Sequence, residues 1–364
     1  MDQLILNDLP PLLDMKTNSP KSSLDSLIQL LYALVILLLG LMAYLFFGQI
    51  RSHKSVADNT DSSAVFIQLD SNFTHVWTAP SDWRMMYLPA GQKELVLYGR
   101  ELIAHTSDYL GPKGSVRAMS NGMNCQNCHL KAGSQPWGNN YFAVESTYPK
   151  FRARSGTIEN QIKRVNDCFE RSLNGMKLDS TSKEMQAILA YIAWLGKDVA
   201  KDIRPKGSGI FKLKFLKRAT DPEKGKLVYD AKCQSCHQSN GEGVFAEGGK
   251  SYTYPPLWGM HSYNEGAGLF RISNLAGYVK YNMPFGTTYE KAQLTDEEAW
   301  DVAAYINSMP RPGKDLSKDW PDISGKPFDH PFGPYVDSFP ESQHKYGPYK
   351  PISDWIKKHK KSKS

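Results

Sequence analysis

Cys125-Gln-Asn-Cys128-His129 and Cys233-Gln-Ser-Cys236-His237 take up four of the chain's five cysteines. A Cys-x-x-Cys-His string is a c-type haem attachment signature: two thiols form thioethers with the porphyrin vinyls, and the next residue offers an imidazole to the iron. Other uses of paired cysteines fit poorly. A zinc ribbon spaces its two pairs about 15–20 residues apart, whereas here they fall at 125 and 233. A thioredoxin-like pair has no need of the following histidine, least of all twice. The fifth cysteine, Cys168, stands alone in Arg164-Val-Asn-Asp-Cys-Phe-Glu-Arg-Ser-Leu-Asn-Gly175. In an exported redox protein such a thiol is an inert core residue, a haem ligand or a sulfur-handling site.

With 364 residues, 41% hydrophobic and 12% aromatic, there is material for two or three compact domains. Ser26 to Ile50 is an uncharged, largely apolar run, long enough for the roughly 20-residue helix that crosses the hydrocarbon core. A cleaved signal peptide is the competing reading, since Ser55-Val-Ala57 resembles a cleavage site. Against it, the run exceeds the roughly 7–15 residues of a signal core, and Arg51, His53 and Lys54 intervene. The expectation is an uncleaved anchor. Lys16 and Lys21 balance Arg51 and Lys54, so flanking charge leaves orientation open. Because c-type haem is attached outside the cytoplasm, the N-terminus is expected inside and the haem domains in the periplasm, tethered to a bacterial inner membrane by a single pass.

After the anchor two similar units follow, an internal repeat. Apolar spacing predicts helices over 92–109, 158–173 and 183–195 in the first, and over 222–232, 266–281 and 295–308 in the second. Helix, haem motif, long loop and terminal helix is the order of small c-type cytochrome domains. The fold class is therefore mainly α: two cytochrome c-like haem domains in tandem, preceded by one transmembrane helix and followed by an irregular C-terminal wrap. The boundaries are a cytoplasmic tail at 1–24, the anchor at 25–50, a linker with perceptible strand character near 64–68 at 51–80, the first domain at 81–203, a connector at 204–216, the second domain at 217–312 and the wrap with its basic tail at 313–364. Proline density in the wrap opposes helix and central strand. Its His330 and His344 read as hydrogen-bonded surface groups. Lys357, Lys358, Lys360, Lys361 and Lys363 read as a solvated tail.

The sixth ligands decide the chemistry. Met283, in Tyr281-Asn-Met-Pro-Phe-Gly286 before the last helix, sits where the thioether of an electron-transfer haem is expected. Lys280 is near enough to compete, but would first have to lose its proton, and reads as a surface residue. In the first unit Met176 has nearly the spacing from His129 that Met283 has from His237. Cys168 is its competitor, because a thiolate would give a low-potential iron suited to accepting electrons. Spacing alone leaves the two open. Arg154 and Arg164 are candidates to converge on the same pocket, since guanidinium forks suit sulfonate-like oxyanions as well as haem propionates.

With these residues in view, the chain after about residue 85 resembles the dihaem cytochrome c family of thiosulfate dehydrogenases, the tetrathionate-forming enzymes. The resemblance rests on Met123-Asn-Cys-Gln-Asn-Cys-His129, Tyr148-Pro-Lys-Phe-Arg-Ala-Arg-Ser-Gly156, the Cys-Phe-Glu-Arg-Ser-x-Asn-Gly string at Cys168, Tyr254-Pro-Pro-Leu-Trp-Gly259, Asn282-Met-Pro284 and Asp329-His-Pro-Phe-Gly-Pro-Tyr335. It implies that Cys168 is the distal ligand of the first haem and the catalytic thiolate. It further implies that Arg154, Arg164 and Ser172 belong to the active site, that Met283 ligates the second haem, and that Met176 is a packing residue. The cofactors are then two covalently bound haem c, held by Cys125, Cys128 and His129 and by Cys233, Cys236 and His237.

The function so implied is oxidation of two thiosulfate to tetrathionate, with electrons passed through the second haem to a cytochrome c, a quinone-linked complex or a terminal oxidase. The same site running in reverse as a tetrathionate reductase, and a tethered electron carrier with no substrate, are the alternatives. A net charge of +7 brings nucleic acid into view, but no recognition motif accompanies it.

Overall fold

The computed structural model describes residues 27–42 and 76–360. Residues 27–42, the described part of the expected anchor, form an exposed helix. Among the described residues no helix is long and apolar enough to cross a membrane. The rest of the expected anchor, the strand near 64–68 and residues 361–364 lie outside the described residues. Residues from 76 onward pack as one body.

Each haem module is built on a close crossing of its first and last helices. In the first module α1 (Ala90–Ala104) buries Val96, Gly99, Leu102 and Ile103. It packs on α3 (Lys183–Gly196), whose start is capped by the Ser182 side chain accepting from the Met185 amide. In the second module α4 (Pro222–Lys232) begins at an Asp221 cap with proline in its first turn. It packs on α6 (Asp296–Ser308), closed by a Thr295/Glu298 capping box. The crossings are equivalent residue by residue. A Cβ on Gly99 would fall 1.9 Å from the Ala187 carbonyl oxygen and 2.9 Å from Tyr191 Cβ; on Gly225 it would fall 2.0 Å from the Asp301 oxygen and 2.9 Å from Tyr305 Cβ. Only hydrogen fits at either point.

Between the crossing helices lie α2 (Gln161–Arg171) in the first module and α5 (Ile272–Asn282) in the second. The α2 pattern predicts helix from 158, but Thr157–Glu159 instead form strand β2, antiparallel to β1 (Lys150–Arg152). The helix starts where the Asn160 side chain accepts from the Lys163 amide. A second small hairpin joins β3 (Val244–Phe245) and β4 (Tyr252–Tyr254).

The connector at 204–216 is docked, not loose. Trp137 and Asn139 amides donate to the Gly207 and Gly209 carbonyls at 2.8 and 2.9 Å, and the Trp77 amide donates to Lys206 at 2.9 Å. Gly207 and Gly209 have φ of 93° and 69°, a region open to glycine.

The wrap crosses both modules. Asp319 pairs with Arg171 of the first, and Asp329 pairs with Arg271 and accepts from the Ser273 amide of the second. It then forms α7 (Glu341–Tyr346) and α8 (Tyr349–Lys360). The wrap is thus helical where an irregular segment is expected, with Tyr349 and Ile352 buried against the second module, while Lys357 and Lys358 of the basic tail are exposed. His330 and His344 are hydrogen-bonded, as expected, but not at the surface. His330 donates toward the Phe332 carbonyl and packs on Trp320, while His344 is buried between the Phe328 carbonyl, the Asp337 carboxylate and the Tyr335 ring. Burial lowers the His330 imidazole to about 4.

Gly225→Ala should destabilise the second module by about 1–3 kcal/mol, because the added methyl meets backbone that cannot swing aside. A thermal melt of the haem-loaded protein checks this, and an unchanged midpoint would mean the helices can part at no cost.

Candidate functional site

The end of α1 carries the first haem motif. Thr106 Oγ1 donates to the Leu102 carbonyl at 2.7 Å and accepts from the Cys125 amide at 2.9 Å. Asn124 Oδ1 accepts from both the amide and the hydroxyl of Ser107 at 2.8 Å. The next residues are thus fixed to the helix. His129 Nδ1 donates to the Asn139 carbonyl and its ring stacks on Tyr141; His237 Nδ1 donates to the Pro255 carbonyl at 2.8 Å. A carbonyl only accepts, so each Nδ1 carries the proton and each Nε2 keeps its lone pair free for iron. Burial lowers His129 to about 4 and His237 below its usual range, which keeps both rings neutral.

Cys125, Cys128, His129, Arg164, Cys168 and Ser172 all line one cavity of about 190 Å³. Burial pushes the Cys125 and Cys128 thiols up to about 12 and Cys233 to about 11. Buried sulfurs that resist ionisation, beside a neutral imidazole with a free lone pair, would suit thioether attachment of haem c and ligation of its iron. The donor set is right for the group.

The same cavity is lined from α2 by Cys168 and by Arg164 one turn earlier, and by Ser172 at the end of that helix. The negative charge of a Cys168 thiolate holds the Arg164 guanidinium even further above its already high range, outweighing burial. Met176, by contrast, does not line the cavity and is 49% exposed. Neither a ligand nor a packing role matches that position. Cys168 shares a cavity with His129, and Met176 does not.

Arg154 also departs from expectation. It is absent from the cavity wall, donating instead to the Gly266 carbonyl at 3.0 Å, lying over the Trp320 ring and standing 3.9 Å from Asp319. Burial, and then the Arg171 charge, lower its guanidinium to about 10. Its neighbours on β1, Lys150 and Arg152, take the cavity face, with Arg204 from the connector. Period-two alternation in Lys150-Phe-Arg152 was the available signal, but three residues are too few to distinguish a strand from a loop. Burial, then the nearby Arg152, Arg204 and Arg164 charges, lower Lys150 to about 8. The cavity wall therefore has four cationic side chains and no carboxylate.

In the second module Met283 ends α5 and packs against the core. Lys280 is no competitor: its ammonium donates to the Leu294 carbonyl and pairs with Asp296 at 3.0 Å, and it is largely buried, not a surface residue. Contacts that sequence did not reveal join this region to the first motif. Tyr278 donates to the carbonyl of Asn127, between Cys125 and Cys128, at 2.9 Å. Asn282, next to Met283, accepts from Gln135 at 2.7 Å and donates to the Trp137 carbonyl at 3.2 Å.

Two helical modules, each hanging a Cys-x-x-Cys-His motif on its first helix, define a c-type cytochrome that carries covalent haem c. Comparison agrees: residues 115–200 match the family described as SoxA/TsdA, cytochrome c domain, and residues 222–310 match cytochrome c. The chain is 41% identical over 209 residues to the thiosulfate dehydrogenase of Psychrobacter arcticus, covering 56% of this chain and 61% of that one. It is 35% identical over 223 residues to that of Allochromatium vinosum (60% and 79% covered) and 35% identical over 219 residues to that of Stutzerimonas stutzeri (60% and 68% covered). The solved thiosulfate dehydrogenase (TsdBA) of Marichromatium purpuratum, in its as-isolated form, superposes with a TM-score of 0.59 at 31% identity, over 66% of this chain and 50% of that chain. The match thus spans less than two thirds of the Psychrobacter relative and half of the solved chain. The chain belongs to the thiosulfate dehydrogenase family, oxidoreductases of cytochrome c type.

Met176→Ala should leave the visible spectrum unchanged and shift stability by less than about 0.5 kcal/mol, as an exposed side chain does. A spectral change on that substitution would return Met176 to the iron.

Proposed function

We propose that this chain oxidises thiosulfate to tetrathionate at Cys168. The observation that carries the reading is that a haem-attachment motif, Cys168, Arg164 and Ser172 line one cavity whose wall has cations and no carboxylate. Such a wall suits a small dianion. Cys125 and Cys128 would hold the first haem and His129 and Cys168 would ligate its iron; Cys233, Cys236, His237 and Met283 would serve a second.

The chemistry assigned to the residues balances as two steps. The Cys168 thiolate forms an S–S bond with the outer sulfur of one thiosulfate, and an electron pair is lost from the two sulfurs. A second thiosulfate attacks the sulfur now carried on Cys168; tetrathionate leaves, and the cysteine sulfur regains its electron pair as thiolate. Haem c supplies the one-electron acceptor for the pair, in two equivalents. Arg164 offsets repulsion between the anions, which is about 4 kcal/mol for each pair of unit charges ~4 Å apart at an effective dielectric near 20. Ser172, which lines the cavity, would donate to a sulfonate oxygen.

The remaining parts of the reading are supported by sequence. The apolar run over 26–50 supports a single-pass anchor in a bacterial inner membrane, with the haem modules in the periplasm. Asn282 and Tyr278, which tie the Met283 region to the first motif, support electron passage from the first haem to the second and then to a respiratory acceptor.

Steady-state oxidation of thiosulfate with an artificial acceptor and product analysis tests this. Tetrathionate is expected as the product. Cys168→Gly should retain covalent haem and abolish turnover, and a variant still forming tetrathionate would sink the assignment. Arg164→Gln should lower kcat/KM by about 100-fold, equivalent to roughly 2.7 kcal/mol of lost transition-state stabilisation.

A further inference from the structure

The C-terminal half-turn of α2 ends in a buried ionic node that the cavity chemistry does not use. Arg171, three residues after Cys168 and beside Ser172, makes a bidentate pair with Asp319 of the wrap, both contacts at 2.8 Å, with side-chain exposures of only 12% and 9%. Asp319 also stands 3.9 Å from Arg154. Around this carboxylate three segments lock together. The Trp320 amide donates to the Arg154 carbonyl at 2.7 Å, and Asn264 of the second module donates its amide to the Arg171 carbonyl at 3.0 Å. The Asn264 side chain reaches the Glu170 carbonyl at 2.9 Å and Asn174 at 2.8 Å. Gly266 is confined as well, since a Cβ there would lie 2.7 Å from Arg171 Nη1. Trp320 is held at φ 55°, a conformation that bulky L-residues rarely adopt.

We infer that Asp319 is a positioning residue for the catalytic helix: by clamping Arg171 it fixes the turn that presents Cys168 and Ser172 to the cavity. The same carboxylate draws Arg154 away from the cavity, so Arg154 acts through this node and not by touching substrate. The inference rests on Cys168 as the substrate-carrying thiol. Its physical basis is that a fixed fork–fork pair sets a guanidinium in both direction and distance, and that displacements of about 1 Å at a reacting group are costly in rate.

The test uses the full haem-loaded chain. Asp319→Asn keeps the shape but leaves two guanidiniums without their counter-charge, which threatens folding. The double variant Arg171→Gln with Asp319→Asn restores the net charge of the node, leaving only Arg154 without the carboxylate. Both should lower kcat for thiosulfate about tenfold or more while KM moves less than about threefold. Both should also alter the electron-paramagnetic signature of the thiolate-ligated first haem and leave the second unchanged. Arg154→Gln should reproduce this pattern and not a selective rise in KM. Parental kcat and parental signature in the folded variants would overturn the inference; if Asp319→Asn does not fold, the double variant decides. Cys168→Gly run alongside separates the two claims. Turnover in that variant would defeat the reading of Cys168, and the first-haem signature would then judge Asp319 by itself.

Discussion

Two helix crossings without side chains, at Gly99 and Gly225, hold the architecture. Each glycine lets its first helix sink onto a carbonyl of the last, Ala187 or Asp301, with a tyrosine closing the contact one turn on. Backbone meets backbone there, so the angle between the helices is set by hard atoms and not by adjustable side chains. The cysteine motif hangs on the end of the first helix, so this angle also decides where Cys125 and Cys233 point. In the first module, Thr106 carries the constraint from the last turn of α1 into the motif.

Given that shared frame, the two modules differ in what the opposite wall supplies. In the first, α2 brings a cysteine with an arginine one turn before it, and a strand and connector add further cations. In the second, the end of α5 brings Met283, and the one nearby amine is bound to Asp296 and a backbone carbonyl. A thiolate among cations suits an anionic sulfur substrate; a thioether in an apolar setting suits electron transfer. On the proposed reading one fold would support two chemistries through a few residues on one wall.

The modules are joined where these walls meet. Asn282 and Tyr278 reach the loop and motif of the first module, and Asn264 holds the end of α2. The wrap completes the arrangement with Asp319 on one module and Asp329 on the other. Burying these ion pairs is tolerable because each carboxylate meets a guanidinium, and Asp329 also gains the Ser273 amide and hydroxyl. A segment rich in proline and lacking regular structure over much of its length is therefore fixed as firmly as a helix.

The sequence by itself determined the haem motifs and the six helices of the repeat, most ends to within a few residues, although the fifth starts at Ile272 and not at 266. These follow from short-range rules: fixed ligand spacing, apolar periodicity, and caps such as Thr295 with Glu298. The resemblance at Cys168 added the cysteine, Arg164 and Ser172, which lie on one helix and so arrive together. Tertiary structure alone decided the rest. It exposed Met176, turned Arg154 toward Asp319, put Lys150, Arg152 and Arg204 on the cavity and buried His330 and His344. Some of these depend on a partner far away in the chain, such as Asp319 for Arg154; others, such as His344 with Asp337, depend on how a proline-rich loop folds back on itself. Spacing along a sequence carries no information about which distant carboxylate a folded backbone will bring within 4 Å of a charge.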